Sequence, residues 1–326
     1  MRLTIAIDAM GGDLGPQIVV EALEEPLKSN PNLKLLLFGD QQLLSPLVST
    51  MLDNNLAQRV EIHHSPTAVS SSDKPSAVLR SNRDSSMAMA IKAVADGSAD
   101  TCISGGNTGA LMAMGMLILG TAPNISRPAV CAEVPTQTGR CLVLDLGANV
   151  DCSATQLHQF AELGAEMASR VLRLKFPAIK LLNVGTESVK GNALIKQTDE
   201  ILRDDAKLNY QGFIEGHGVF AGEADVVVCD GFSGNIALKF AEGVANLIAY
   251  RAKQQLRGGW IARFLGWLFK KRLSLFKQSI NPALFNGAFL LGLQGTLIKS
   301  HGGADVSAFR AALEMAVDYS KSLEAA

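Results

Sequence analysis

The sequence predicts an α/β fold of three layers, with a mostly parallel sheet between two sets of helices. Three observations predict it. Short apolar runs alternate with helical patterns along the 326 residues, the order that covers both faces of a parallel sheet. Most of the turns after those runs are glycine-rich and polar, as where a strand hands the chain to a helix N-terminus. Hydrophobic residues make up 48 % and charged residues 19 %, a globular balance with enough apolar mass for one large unit or two lobes on a shared core.

The units run in order. Residues 3–7 form the first apolar run and lead into DAMGGD at 8–13. Residues 33–38 lead into Gly39 and Asp40, and residues 101–103 into SGGNTG at 104–109. Three more follow: 141–144 before DLGAN at 145–149, 180–182 before NVGTESVKGN at 183–192, and 226–229 before DGFSGN at 230–235. Ligands of such sheets bind beyond the carboxyl ends of the strands, so the turns are expected to converge at a single sheet edge. Two units resemble each other: Gly97-Ser-Ala-Asp100 before SGGNTGAL, and Gly222-Glu-Ala-Asp225 before DGFSGN and Ala237-Leu238. Duplication or a shared steric demand would each produce that likeness. Asn30-Pro31 reads as a turn, residues 84–86 as a helix N-cap, and residues 70–74 as a mobile loop.

Composition narrows the classes of function. A net charge of −1 gives no overall field to gather nucleic acid. The cysteines number five, an odd count, and form no CxxC pair, which fits a reducing compartment with most thiols in the core. No basic stretch followed by a long apolar one opens the chain, and no window of about 18 residues is apolar enough to span a bilayer. A cytoplasmic protein is expected.

Chemistry is expected in the turns. Free N–H groups and the positive end of a helix dipole make Ser104, Gly105, Gly106, Asn107 and Thr108 a plausible phosphate cradle, or a plain tight turn. GxxxxGK[ST] is absent and no GxGxxG follows the first strand, so nucleotide cofactors have little support. Lys190 sits where a strand-to-helix loop aims a cation at a dianion, or in solvent. Asp145 with Asn149, and Asp230 with Asn235, place a carboxylate at a strand end and an amide nearby. Asn can donate to an oxyanion, and Asp can equally cap the next helix. His63 and His64, adjacent in a strand, point to opposite faces. His301 stands beside Gly302 and Gly303, as an anion contact or a surface residue. Neither HExxH nor a carboxylate cluster with metal spacing occurs, so no tightly bound metal and no cofactor are expected.

From Gly243 to Ala304 there is no acidic residue and there are nine Lys or Arg. Both tryptophans of the chain lie there. Drawn as a helix, Trp260, Phe264, Trp267 and Leu268 share a face with Arg263 and Lys270 opposite. A basic amphipathic helix at about 250–280, protruding from the single unit 1–326, suits an anionic membrane surface, an oligomer contact or an acidic carrier protein.

The motifs DAMGGD, SGGNTGALMA at 104–113, DLGANVDC at 145–152, KGN at 190–192, DGFSGN and LLGLQG…IKSHG at 290–302 occur in this order. Together they closely resemble the phosphate acyltransferase of bacterial phospholipid synthesis, the PlsX family, over essentially the whole chain. Residues 215–219 depart from the pattern, and the chain stops soon after the last helix. The resemblance implies a fold like the isocitrate/isopropylmalate dehydrogenase group, with two lobes around a cleft. It implies a homodimer on the inner face of the cell membrane that joins the acyl group of acyl-[acyl-carrier-protein] to inorganic phosphate. Phosphate is itself the nucleophile, so no acyl-enzyme is needed. Lys190 for phosphate charge and Asn235 for the carbonyl oxygen are the expected catalytic pair. Gly11, Gly12, Asp13, Ser104, Gly105, Gly106, Asn107, Thr108, Asp145, Asn149, Asp230, Ser233, Gly234 and His301 are expected to shape the substrate site. A metal- and nicotinamide-dependent decarboxylating dehydrogenase and a non-catalytic membrane or carrier adaptor are the alternatives. The first lacks its Asp ligands, and the second leaves the turns unexplained.

Overall fold

The computed structural model describes residues 3–81, 83–256 and 286–324. Its first half runs β1 (Leu3–Asp8), α1 (Pro16–Ala22), α2 (Glu24–Ser29), β2 (Leu33–Gly39), α3 (Gln41–Met51), α4 (Asn54–Ala57) and β3 (Val60–His64). Next come α5 (Pro75–Ser81), α6 (Ser86–Ala95), β4 (Thr101–Ser104), α7 (Thr108–Ile118), β5 (Ala129–Pro135) and β6 (Arg140–Leu144). Then follow α8 (Ala154–Val171), β7 (Ala178–Leu182), α9 (Ala193–Asp204), β8 (Asn209–Ile214), α10 (Gly216–Ala221) and β9 (Val226–Val228). Helix α11 (Gly231–Leu256), β10 (Ala288–Leu291), β11 (Thr296–Lys299) and α12 (Val306–Glu324) complete the described chain.

One 11-stranded sheet carries the order β3-β2-β1-β4-β11-β10-β5-β6-β9-β7-β8. Seven neighbouring pairs are parallel and three, all involving β5 or β10, are antiparallel. Following directions across the sheet gives the main correction to the sequence reading. Strands β3, β2, β1, β4 and β11 run one way, while β6, β9, β7 and β8 run the other. The turns after β1, β4 and β11 therefore leave one edge, and those after β6, β9 and β7 leave the opposite edge. Convergence at a single edge does not occur.

Alternation along the strands splits the core in two. Ile5, Ile7, Leu35 and Leu37 point to one face with α1, α8 and α12. Ala6, Leu36, Cys102 and Leu297 point to the other with α6 and α7. On the first face α3, α1, α12, α8 and α9 pack side by side without a break. The second face is divided: α5, α6 and α7 cover β1, β4 and β11, and α11 packs on β6. Between α7 and α11, among the described residues, Val130 and Ala132 of β5, Ala288 of β10 and Lys299 of β11 line a gap in this layer. That gap is the cleft of the molecule.

Local sequence explains the boundaries. Asp40, Asp53, Ser85, Asn107, Ser153 and Asn192 each cap a helix through a side-chain oxygen that accepts a backbone N–H. The two similar units share one device. Asp100 donates its N–H to Thr4 O at 2.8 Å and its carboxylate accepts from Thr4 N at 2.7 Å. Asp225 does the same with Ala178, at 2.9 Å and 2.7 Å. Each aspartate pins the start of its strand to the neighbouring one. Residues 70–74, expected to be mobile, are tied by Asn107 Nδ2, which donates to Ser71 O and Asp73 O at 3.0 Å. No helix of the described residues is long and apolar enough to cross a membrane. Trp260, Phe264, Trp267 and Leu268, and with them most of the expected basic helix, lie outside the described residues.

Candidate functional site

At one end of the cleft three turns stack around Asp8. By strand alternation Asp8, like Ala6, faces the α6/α7 side, and it is buried. Its carboxylate accepts from Ser86 Oγ at 2.6 Å and from Ser104 Oγ at 2.7 Å, joining β1 to the starts of α6 and the end of β4. Ser104 Oγ in turn accepts from Gly106 N at 3.0 Å. Burial raises the Asp8 pKa, while these hydrogen bonds pull it down. A side chain at Gly11 would meet Asp8 Oδ2 at 2.5 Å and Gly106 N at 2.8 Å, so glycine is what lets the turns touch. Asp13 N donates to Gly302 O at 2.7 Å, bringing in the turn after β11.

Lys299 ends β11 on the same face. Its Nζ donates to Gly105 O at 3.3 Å and to Ser300 O. Burial lowers its pKa to about 8, against the attraction of Asp13 and Asp8, which raises it. His301 follows: its Nδ1 accepts from Gly303 N at 3.0 Å, and its Nε2 lies 3.3 Å from Lys239 Nζ. Burial first, then the Lys239 charge, hold the imidazole below its usual pKa.

The other end of the cleft is built on Asp145. Buried at the end of β6, its two oxygens accept from Val130 N, Gly147 N, Ala148 N, Asn149 N and Asn149 Nδ2 at 2.7–3.2 Å. Asn149 also donates to Pro128 O at 2.8 Å and accepts from Arg127 Nε. Asp230 caps α11, accepting from Ser233 N at 2.8 Å and Ser233 Oγ at 2.9 Å. Gly231 N donates to Asn149 O at 2.8 Å, and a side chain on Gly234 would sit 2.0 Å from Asp145 O. Asp145, Asn149, Asp230, Ser233 and Gly234 thus use their polar atoms or their smallness to seat α11 on the β6 turn. The outcome of that seating is the position of Asn235, exposed toward the cleft, its side chain without a hydrogen bond to any described residue.

The cleft has a volume of about 480 Å³ and brings together Thr108, Asn235, Lys239, Lys299 and His301, with Gly302 and Gly303. Turns from opposite sheet edges meet here across a face. Gly11, Gly12, Asp13, Ser104, Gly105 and Gly106 are not among the residues lining this cleft, and Asn107 is spent on capping α7, accepting from Ala110 N at 3.1 Å. Lys190 is placed elsewhere. It is exposed in the loop between β7 and α9, where its N–H donates to Glu187 O at 3.0 Å, and it is not among the residues lining this cleft. Sequence reasoning passed over Lys239 and Lys299. Lys299 directly precedes the Ser300-His301-Gly302-Gly303 turn, and Lys239 lies one helical turn beyond Asn235, signals that were readable.

Among the described residues one group has the spacing of metal ligands: His158, Glu162 and Asp205, with ligand atoms within 4.8 Å of one another. It lies on the continuous helical face, away from the cleft, where His158 Nε2 and Asp205 Oδ2 at 2.9 Å link α8 to the end of α9.

Comparison with known proteins bears on both fold and family. The Streptococcus pyogenes phosphotransacetylase structure has a TM-score of 0.62 at 17 % identity, over 99 % of this chain and 94 % of that one. A 4-hydroxythreonine-4-phosphate dehydrogenase from Klebsiella pneumoniae gives 0.60 at 12 %, over 98 % and 99 %. The fold is thus the dehydrogenase-like one that the motifs implied. A phosphate acyltransferase of Nitrosococcus oceani is 48 % identical over 97 % of this chain and 93 % of its own length. The family described as fatty acid synthesis protein matches residues 3–323, and to that family the chain belongs.

Proposed function

We propose that this acyltransferase moves a long-chain fatty-acyl group from an acyl-carrier-protein thioester to inorganic phosphate, giving acyl phosphate for phospholipid synthesis. The observation that carries the reading is the cleft itself. It offers two lysines and a histidine for an oxyanion beside Asn235, whose side chain has no hydrogen bond to a described residue, on the scaffold of a family whose relatives are phosphate acyltransferases.

Phosphate binds between Lys299 and Lys239, which take the charge-holding role expected of Lys190. A phosphate oxygen attacks the thioester carbonyl, a C–O bond forms, and the carbonyl π pair moves to oxygen. Asn235 Nδ2 donates to that oxyanion. The oxyanion collapses, the C–S bond breaks, and the carrier leaves as a thiolate that takes up a proton. The protein supplies position and charge, and no side chain is acylated.

The finer features of the reading rest on separate observations. Phe232, Ile236, Phe240, Val244 and Leu247 are exposed along one side of α11, a large apolar stripe that supports a homodimer. Trp260, Phe264, Trp267 and Leu268, with the bases around them, support attachment to the cytoplasmic face of an anionic membrane.

Release of free thiol on mixing acyl-carrier thioester with phosphate tests the reading directly. Asn235→Ala is expected to lower turnover by about 10²–10³, the value of one oxyanion donor. Near-normal turnover in that variant removes Asn235 from the catalytic set, and no phosphate-dependent thiol release from the unmodified protein removes the function.

A further inference from the structure

Beside the polar cleft lies a second cavity of about 190 Å³, under α11 and over β5, β6 and β9. The two share Ala132, Leu146, Leu238 and Glu242 as a common wall. Its lining is almost wholly apolar, with Val134, Val143, Val219 and Val227 among the side chains. Resting on the proposed acyl transfer, we infer that this cavity receives the acyl chain of the thioester and that α11 sets the chain length accepted.

The argument begins with the faces of α11. Asn235, Lys239, Glu242 and Asn246 recur at helical spacing and line the polar cleft. About a third of a turn round, Gly234, Ala237, Ala241 and Ala245 line the apolar cavity. A helix laid on a β-sheet ordinarily fills the interface with large side chains, and unfilled apolar volume costs stability. Here small residues keep the space open, beside a site where a carbonyl must be held. The handover from polar to apolar falls between adjacent residues: Asn235 faces the cleft and Gly234 the cavity. A thioester with its carbonyl at Asn235 therefore has an apolar channel leading away from the reacting carbon. Ala237, Ala241 and Ala245 stand four residues apart, about 6 Å along the helix axis, at increasing distance from Asn235. They form a graded stop for the chain end.

Leucine is as good a helix former as the fold needs at these positions, so Ala241→Leu and Ala245→Leu fill the cavity without breaking α11. Thiol release would be followed with octanoyl, lauroyl and palmitoyl thioesters of the carrier, alongside thermal unfolding and gel filtration. Ala241→Leu is expected to lower kcat/KM for palmitoyl relative to octanoyl by on the order of tenfold or more, the scale on which a pocket tells methylenes apart. Ala245→Leu is expected to do so less, with lauroyl nearly spared. An equal loss for all three chains in a folded variant overturns the inference. So does a changed oligomeric state with chain preference intact, which would give the cavity to a contact between copies. Failure of the unmodified protein with every thioester would instead sink the proposed function and is seen before any variant is made.

Discussion

Lys299 is the residue whose environment and proposed task pull in opposite directions. Its folded pKa is about 8, against about 10.4 in an unfolded chain. Below about pH 8 it is charged in both states, and its burial opposes folding. Between the two values the folded protein has released the proton while the unfolded chain keeps it, so that penalty fades as pH rises. Phosphate holding follows the other direction, because the charge that attracts the dianion is lost above about pH 8. The KM for phosphate is therefore expected to climb above pH 8, and Lys299→Met should raise it at pH 7 and flatten that climb. The same variant should not unfold at a lower temperature at pH 7, since it relieves a buried charge. Lys190→Ala, at an exposed position, should change the phosphate KM by less than about threefold. Steady-state kinetics of the two lysine variants across pH checks both statements, and the reverse ranking would return the role to Lys190.

Helix α11 shows how one element carries several functions in three stripes: polar toward the cleft, small toward the apolar cavity, large and apolar outward. Its seating depends on Gly234, where a Cβ would lie 2.0 Å from Asp145 O. Backbone sits on both sides of that contact, so nothing flexible can give way. Gly234→Ala should cost about 2–4 kcal/mol in urea unfolding and displace Asn235, whereas Gly243→Ala, with open space around it, should be neutral or mildly stabilising. The alternation of strands and helices and the polar turns were legible in sequence because each is a local pattern. The reversal of the sheet halfway across was not. It rests on β5 and β10, and β10 is four residues long; direction in so short an apolar run is set by distant partners. The site was half legible for a related reason. Asp230 and Asn107 cap helices with the side chains that bind ligands elsewhere, and composition does not tell the two uses apart. The likeness of the two Ala-Asp units fits either duplication or a shared demand, and the bonds of Asp100 and Asp225 to their neighbouring strands show such a demand.

At the scale of the whole molecule the asymmetry of the two helical layers matters most. The layer of α3, α1, α12, α8 and α9 is continuous and holds the sheet as one body. Among the described residues the layer opposite is split, and the split brings Thr108, Lys299 and His301 to the same cleft as Asn235 and Lys239 of α11. Among the described residues α11 rests on the sheet by one side, and its outward stripe is a liability unless covered. Phe240 is 73 % exposed, with Ile236 and Leu247 above 50 % on the same side, more contiguous apolar surface than a lone chain commonly shows to water. A second copy of the chain, meeting this stripe with its own, would bury it by twofold symmetry. Phe240→Asp places a charge on that stripe in each partner and should turn a dimer into a monomer in sedimentation at micromolar concentration, while leaving the fold intact, because the side chain makes no part of the core. If the unmodified protein sediments as a monomer, or the variant remains a dimer, the covering of α11 must come from elsewhere. A monomeric variant also asks whether α11 keeps its tilt unsupported: retained thiol release with octanoyl thioester would show that the sheet alone holds Asn235 at the cleft.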